Sequence, residues 1–341
     1  MSKSTVTLII SKLTGVLNNV SGIDCRFPAL ETILAKSHQS ISCEKKESHL
    51  IRTLLDSSNH NHSDAIFSYL YDGGTLDEIK NTHILRADPV LLYPDRDRLL
   101  LFDNDQLNIS KAEAESLVNE FNHYFADENI QLLFFKPNRW YLKKKIPCDT
   151  KFSDIEDVSG HHVESFMPSG SQSNYWKKLL NETQILFFNS KVNQQRDLEG
   201  HQKINSIWVW EGPENTLTES PPKTSHFNYC FSQNPVTLGR SLASNCQTNE
   251  NLESTSWDQQ FNIKGQYLIQ IESLKLALKN QSFEEWLQQL TLLEKNFFQP
   301  LLNAVHRGAI DSLKIHLMNG KYLKFSKYSL LKFWKINKPL S

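Results

Sequence analysis

His60-Asn61-His62-Ser63-Asp64 sets two imidazoles and a carboxylate at H-x-H-x-D spacing. A divalent cation accepts such groups. The stretch is also rich in Ser, His and Asn, with no strand or helix signal to order the ligands, so a solvated loop is the plainer reading. Arg86-Ala87-Asp88-Pro89 and Pro94-Asp95-Arg96-Asp97-Arg98 place alternating charges beside strand-like runs. A guanidinium at a strand end can grip a carboxylate or phosphate through two parallel hydrogen bonds, or simply form an ion pair. His161-His162 follows Asp157-Val158-Ser159-Gly160 and could relay protons, although neighbouring side chains usually point apart. Asn193, Arg196 and Asn205 precede the apolar run Ile207–Trp210, and could line a cleft or serve as caps. After Asp311 come seven lysines and no acid, interleaved with Tyr322, Phe325, Tyr328, Phe333 and Trp334. That pattern suits a polyanion, or a packed hairpin whose lysines keep its edge in solution. The hairpin is preferred because the aromatic spacing fits one.

These groups need elements to hold them. Thr5–Ile10 (TVTLII) reads as a strand buried on both faces, and Pro28 opens a helix over PALETILAK with Leu30, Ile33 and Leu34 on one side. Residues 37–64 read as polar, apart from Leu50–Leu55. Asp72-Gly73-Gly74 reads as a turn. Val90–Tyr93 and Leu99–Phe102 form a predicted hairpin, and Ser110 with Glu113 a capping box. The helix it opens carries Ala114, Leu117, Val118, Phe121 and Phe125. Strands follow at Ile130–Phe135 and Trp140–Leu142, then a helix at Trp176–Phe188. Ile207–Trp210, closed by Gly212-Pro213, predicts a central buried strand that returns to the main sheet, its indoles serving as packing. Pro213–Lys223 and Asn245–Ser256 read as loops. A helix begins at Ser282 with Glu285, and Asn319-Gly320 joins two alternating runs as a hairpin.

The 341 residues suggest two domains, or one with a large insertion. A net charge of −1 excludes a whole-chain polyanion binder. Five cysteines without a CxxC pair fit a reducing compartment, and no run approaches the length of a membrane span, so the expected location is cytoplasmic. Walker, G-x-G-x-x-G and G-x-S-x-G motifs and zinc-finger spacings do not occur.

In order, ILRADPVLL, ISKAEAESLVNEFN, NRWYL, DVSGHHVESFMPSG, KKLLNETQILFF, VNQQR and NSIWVWEGP resemble cofactor-independent phosphoglycerate mutases of the archaeal type, in the alkaline-phosphatase-like superfamily. The resemblance is best over residues 84–213. With LEKNFFQPLLNAVHRG and LLKFW, the whole chain resembles bacterial regulatory proteins of the RpfE type. The resemblance implies an α/β fold: a reduced phosphatase-like main domain over 1–83 and 201–341, and an inserted α+β substrate-binding-like domain over 84–200.

Such mutases use a Ser or Thr nucleophile and two divalent metals, because phosphoryl transfer asks chiefly for charge stabilisation. The resemblance implies an Asp-Gly metal motif after the first strand; here Ser11-Lys12-Leu13 follows. Residues 201–341 hold only two aspartates, Asp258 and Asp311, and 214–280 reads as polar loops and short segments, too small to hold the missing strands and ligands. A Pro-His-Asp motif appears as Ile155-Glu156-Asp157, and W-G-x-G as Trp210-Glu211-Gly212-Pro213, where glutamate would repel an anion. Arg86, Arg139, Asp157, Asn193, Arg196 and Asn205 match the pattern, and are the expected ligand-binding residues. The expectation is a catalytically degenerate protein with no catalytic residues and no cofactor, binding a small phosphorylated acid or a protein partner, with nucleic acid and membrane not expected. The alternatives are an active mutase or phosphatase with two Mn or Mg ions, perhaps on His60, His62 and Asp64, and an interaction protein using its basic C-terminal segment.

Overall fold

The structure, a computed structural model, describes residues 4–14, 26–42, 44, 46–55, 63–80, 82–104, 107–145, 150–210, 225–279, 282–332 and 334–335. The chain divides into two compact units, Met1–Asn59 with Pro221–Ser341, and His60–Ser220.

β1 (Thr5–Ile10) and α1 (Pro28–Lys36) form as the sequence predicts. Proline's fixed φ suits the first turn of α1, and Leu30 and Ile33 are fully buried. The polar stretch that follows hides two elements, β2 (His38–Ile41) and α2 (Glu47–Leu55). In α2 the short apolar island supplies a buried face of Leu50, Ile51 and Leu55.

The second unit opens with α3 (Asp64–Asp72), capped by Ser63, whose Oγ accepts from Ala65 N. It ends at Gly73 with φ 118°, a left-handed position that glycine takes without strain. α4 (Leu76–Ile79) leads into the hairpin β3 (His83–Asp95) and β4 (Arg98–Phe102). The predicted capping box is formed in both directions and opens α5 (Lys111–Tyr124), which buries Ala114, Leu117, Val118 and Phe121. Then come β5 (Ile130–Lys136), β6 (Arg139–Lys144), β7 (Thr150–Lys151), α6 (Ile155–Val158), β8 (Ser169–Gly170), α7 (Ser173–Phe188), α8 (Lys191–Leu198) and β9 (Ser206–Trp210). A five-stranded sheet runs β4-β3-β6-β5, with β9 also paired to β3.

That placement of β9 corrects the expectation for Ile207–Trp210. The strand does not join the main sheet; it pairs antiparallel with Arg86–Val90 of β3. Ile207 and Val209 enter a core with Trp140 and Trp176, while Trp208 and Trp210 enter a second one with Val90, Leu92 and Val158. An unbroken apolar run reports that both faces are covered, not which sheet the strand belongs to. The unit therefore takes in α3, α4 and β9, beyond the expected 84–200.

The chain resumes the first unit with β10 (Tyr229–Phe231), α9 (Pro235–Ala243), β11 (Gln247–Asn249), α10 (Trp257–Gln260), β12 (Gln266–Ile271), α11 (Ser273–Lys279) and α12 (Phe283–Leu293). A π-helical turn, Glu294–Phe298, joins α12 to α13 (Gln299–His306), and the predicted hairpin forms β13 (Ser312–His316) and β14 (Lys321–Ser326). The seven-stranded sheet is ordered β11-β10-β12-β1-β13-β14-β2. β11, β10, β12, β1 and β13 are mutually parallel. The reading of 214–280 as polar loops and short segments too small for the missing strands is thus corrected: the segment supplies three of these five strands, two of them only three residues long and too short to show a pattern. The expected loop at Pro213–Lys223 lies outside the described residues. Val6, Leu8 and Ile10 pack toward α1, α12 and α13. Ile9 and Leu268 pack toward α2 on the other face. Among the described residues no helix is long and apolar enough to cross a membrane.

α1 lacks a side-chain cap at Phe27. Buried Glu294, in the π turn, replaces it by accepting from Ala29 N (2.7 Å) and Leu30 N (3.1 Å). A carboxylate suits the positive end of a helix, and its loss leaves buried donors unmade. Glu294→Ala is expected to cost about 2 kcal/mol, read as a lower midpoint in urea with an unchanged slope.

Candidate functional site

Within the second unit, Arg86 and Asp88 share one face of β3 because strand side chains alternate. Arg86 Nη2 donates to both carboxylate oxygens of Asp88, at 2.9 and 2.7 Å, and both side chains are buried. The guanidinium carbon lies 4.8 Å from the Trp210 ring centre and 5.5 Å from that of Tyr141. Asp88 also accepts from Trp140 N (3.2 Å) and Trp210 Nε1 (2.8 Å). Arg139 makes a two-pronged pair with Asp72 (2.5 and 2.6 Å), which the Tyr141 hydroxyl joins at 2.6 Å. Burial pushes the Tyr141 phenol well above its ordinary pKa, so it stays a donor.

The other expected ligand-binding residues serve the chain near them. Arg196 donates to Gln202 O (2.6 Å), Glu113 Oε1 (2.7 Å) and Leu107 O. Asn193 bonds both the N–H and the C=O of Ile204, and Phe187 O as well. Asn205 does the same for Leu92, at 2.8 and 2.9 Å. Asp157 is exposed on α6. The structure brings Arg86 and Arg139 together around Tyr141, while Asn193, Arg196 and Asn205 brace the approach to β9. Their partners Asp72 and Asp88 were visible in the sequence only as a turn residue and half of an alternating charge pair. His161 Nδ1 lies 3.1 Å from Ser159 O, and His162 Nε2 lies 3.6 Å from Asp95. His60 and His62 lie outside the described residues; Asp64 is buried in the first turn of α3.

In the first unit, the carboxyl ends of the parallel strands are where open α/β sheets bind ligands. β1 ends at buried Ser11 and at Lys12, whose φ is 58° and whose carbonyl accepts from Trp286 Nε1 (3.0 Å). At the ends of β10 and β12, buried Gln270 accepts from Ser232 Oγ (2.9 Å) and Thr237 Oγ1 (2.7 Å), and donates to Glu47 Oε2 (2.9 Å). Asn234 Nδ2 donates to Glu272 (3.2 Å). β13 ends at buried His316, stacked on Tyr322. A pair of divalent ions needs converging carboxylates and imidazoles. Glu47, Glu272 and His316 are present at these ends among hydroxyls, amides and a lysine, but among the described residues no group of three or more His, Cys, Asp or Glu side chains is placed to hold a metal ion. Cys230 and Cys246 are buried free thiols, and burial pushes both up to about 12. At the C-terminal hairpin Phe325 is buried and Tyr322 packs beneath the Lys314 and Lys324 ammonium groups, while Tyr328 and Trp334 are exposed.

No protein-family model matches the chain. It is 27% identical over 108 residues to a 2,3-bisphosphoglycerate-independent phosphoglycerate mutase of Methanosarcina mazei, covering 30% of this chain and 26% of that one. It is 25% identical over 137 residues to the same enzyme of Methanosarcina acetivorans, covering 37% and 33%. The matched segment thus spans no more than about a third of these relatives' length. In fold the chain is similar to the PH0037 protein from Pyrococcus horikoshii, with TM-score 0.56 at 11% identity over 96% of this chain and 88% of that chain. A cofactor-independent phosphoglycerate mutase from Thermoplasma acidophilum aligns with TM-score 0.44 at 13% identity, over 96% and 90%. The chain is a mixed α/β protein with a phosphoglycerate-mutase-like relationship.

Removing one partner of a buried ion pair strands the other charge. Asp88→Ala is expected to destabilise by roughly 3–5 kcal/mol, with Arg86→Met/Asp88→Leu recovering much of that in denaturant titrations. Burial, with Lys314 nearby, lowers the His316 pKa from 6.5 to about 4. The unfolded chain then binds a proton that the folded chain refuses, so stability falls as pH drops from 6.5 towards 4. His316→Phe should flatten that part of a stability-against-pH curve.

Proposed function

We propose that this chain keeps a phosphoglycerate-mutase-like scaffold without phosphoryl-transfer chemistry, and that its role is binding, as in regulatory proteins of the RpfE type. The observation that carries this reading is the donor set at the strand ends of the first unit. Ser232, Thr237 and Gln270 satisfy one another there, and Lys12 follows the strand whose end would carry a metal-binding carboxylate in the phosphatase-like pattern. A cation at that point opposes a second cation. The arginines support the same reading, since Arg86 and Arg139 already hold carboxylates and a phosphate would have to displace Asp88 or Asp72.

The test is turnover of 3-phosphoglycerate by the full chain with added manganese, followed by metal analysis. The expected result is 2-phosphoglycerate at the background rate and less than one ion per chain. Chelator-sensitive turnover with two bound ions would refute the proposal.

A further inference from the structure

A cavity of about 290 Å³ in the first unit opens at the carboxyl ends of β10 and β12. Ile271, the last residue of β12, and Glu272 just after it line the cavity, and Gln233 stands just past β10. Leu252, Trp257, Leu293 and Phe297 form an apolar wall, with the Trp257 and Phe297 rings 5.0 Å apart edge to face. The amides of Gln289 and Asn296 add hydrogen-bonding groups. Among the described residues lining it, Glu253 and Glu272 are the ionisable ones.

Three observations bear on this cavity. It occupies the strand-end position where open α/β sheets take ligands. One wall is the π-helical turn, a geometry that is rare and concentrated at functional sites. That turn is held in place, because its Glu294 is bonded to the first N–H groups of α1, so the wall is set before any ligand arrives. The sign of the lining then selects the occupant. Among the described lining residues a phosphorylated acid would meet two carboxylates and no cation, whereas an ammonium group would meet the exposed carboxylate of Glu253 and that of Glu272, which also accepts from Asn234 Nδ2, with its carbon body against Trp257 and the leucines.

We infer that this cavity binds a small organic cation, an amine carrying an aliphatic or aromatic body. Its volume is near the lower end of the range for small-molecule sites, which limits the ligand to about one ring or a short chain. The inference does not rest on the absence of phosphoryl transfer: an active mutase could carry the same cavity.

The experiment titrates the full chain with benzylammonium by calorimetry and saturation-transfer NMR. Benzoate, of the same shape and opposite charge, is the control. Benzylammonium is expected to bind once per chain in the millimolar range or tighter. Glu253→Gln/Glu272→Gln should weaken it about tenfold or more, and Leu292→Trp, at a half-exposed position on the rim, should block it. Glu253→Gln alone changes an exposed side chain and should still weaken binding if the double variant unfolds. Benzoate binding as tightly as benzylammonium, an affinity unchanged in Glu253→Gln and in the folded double variant, or no saturable benzylammonium binding would each overturn the inference.

Discussion

A guanidinium that enters a protein core must bring its counter-charge with it. Around Arg86 that requirement organises the second unit. Asp88 lies two residues along the same strand, so β3 supplies both charges on one face. The carboxylate's remaining capacity is filled by Trp140 N and Trp210 Nε1, which tie β6 and β9 to the same anion. The indole of Trp210 thus packs against the cation with its face and binds the anion with its edge. Replacing any member leaves a charge without its shell, which makes the group more costly to break than to keep.

The same physics explains why arginines in a ligand-binding pattern need not mark a ligand. Arg139 with Asp72, and Arg196 with Glu113 and two carbonyls, have their donors committed inside the fold. In the first unit the strand ends are polar for a comparable reason. Backbone groups and side chains that leave the sheet must be satisfied, and Gln270 does this for Ser232, Thr237 and Glu47 at once.

Legibility in the sequence followed the length and regularity of each signal. The capping box at Ser110, the hairpin at Asn319-Gly320 and the proline-opened α1 rest on local chemistry, and all three stand where expected. β10 and β11, at three residues each, carry no periodicity of their own; β10 is a strand because β12 is beside it, and β11 because β10 is. β9 was legible as a strand and illegible as to its partner, since Ile207 and Trp208 are equally apolar on its two faces. Of the candidate site, the arginines were legible by type. Their commitments were not, because Arg139 meets Asp72 across 67 residues of chain. The cavity beneath the π turn had no signature, as its lining comes from segments that meet only in three dimensions.

β1 lies between β12 and β13, and Ser4 N donates to Asp311 Oδ2 across 307 residues of sequence. Both flanking strands lie C-terminal to the whole second unit. During synthesis TVTLII is therefore an apolar ribbon with two unpaired edges, while residues 60–220 can already assemble from contacts of their own. Closure of the seven-stranded sheet therefore waits on strands made after the second unit, an order imposed by topology.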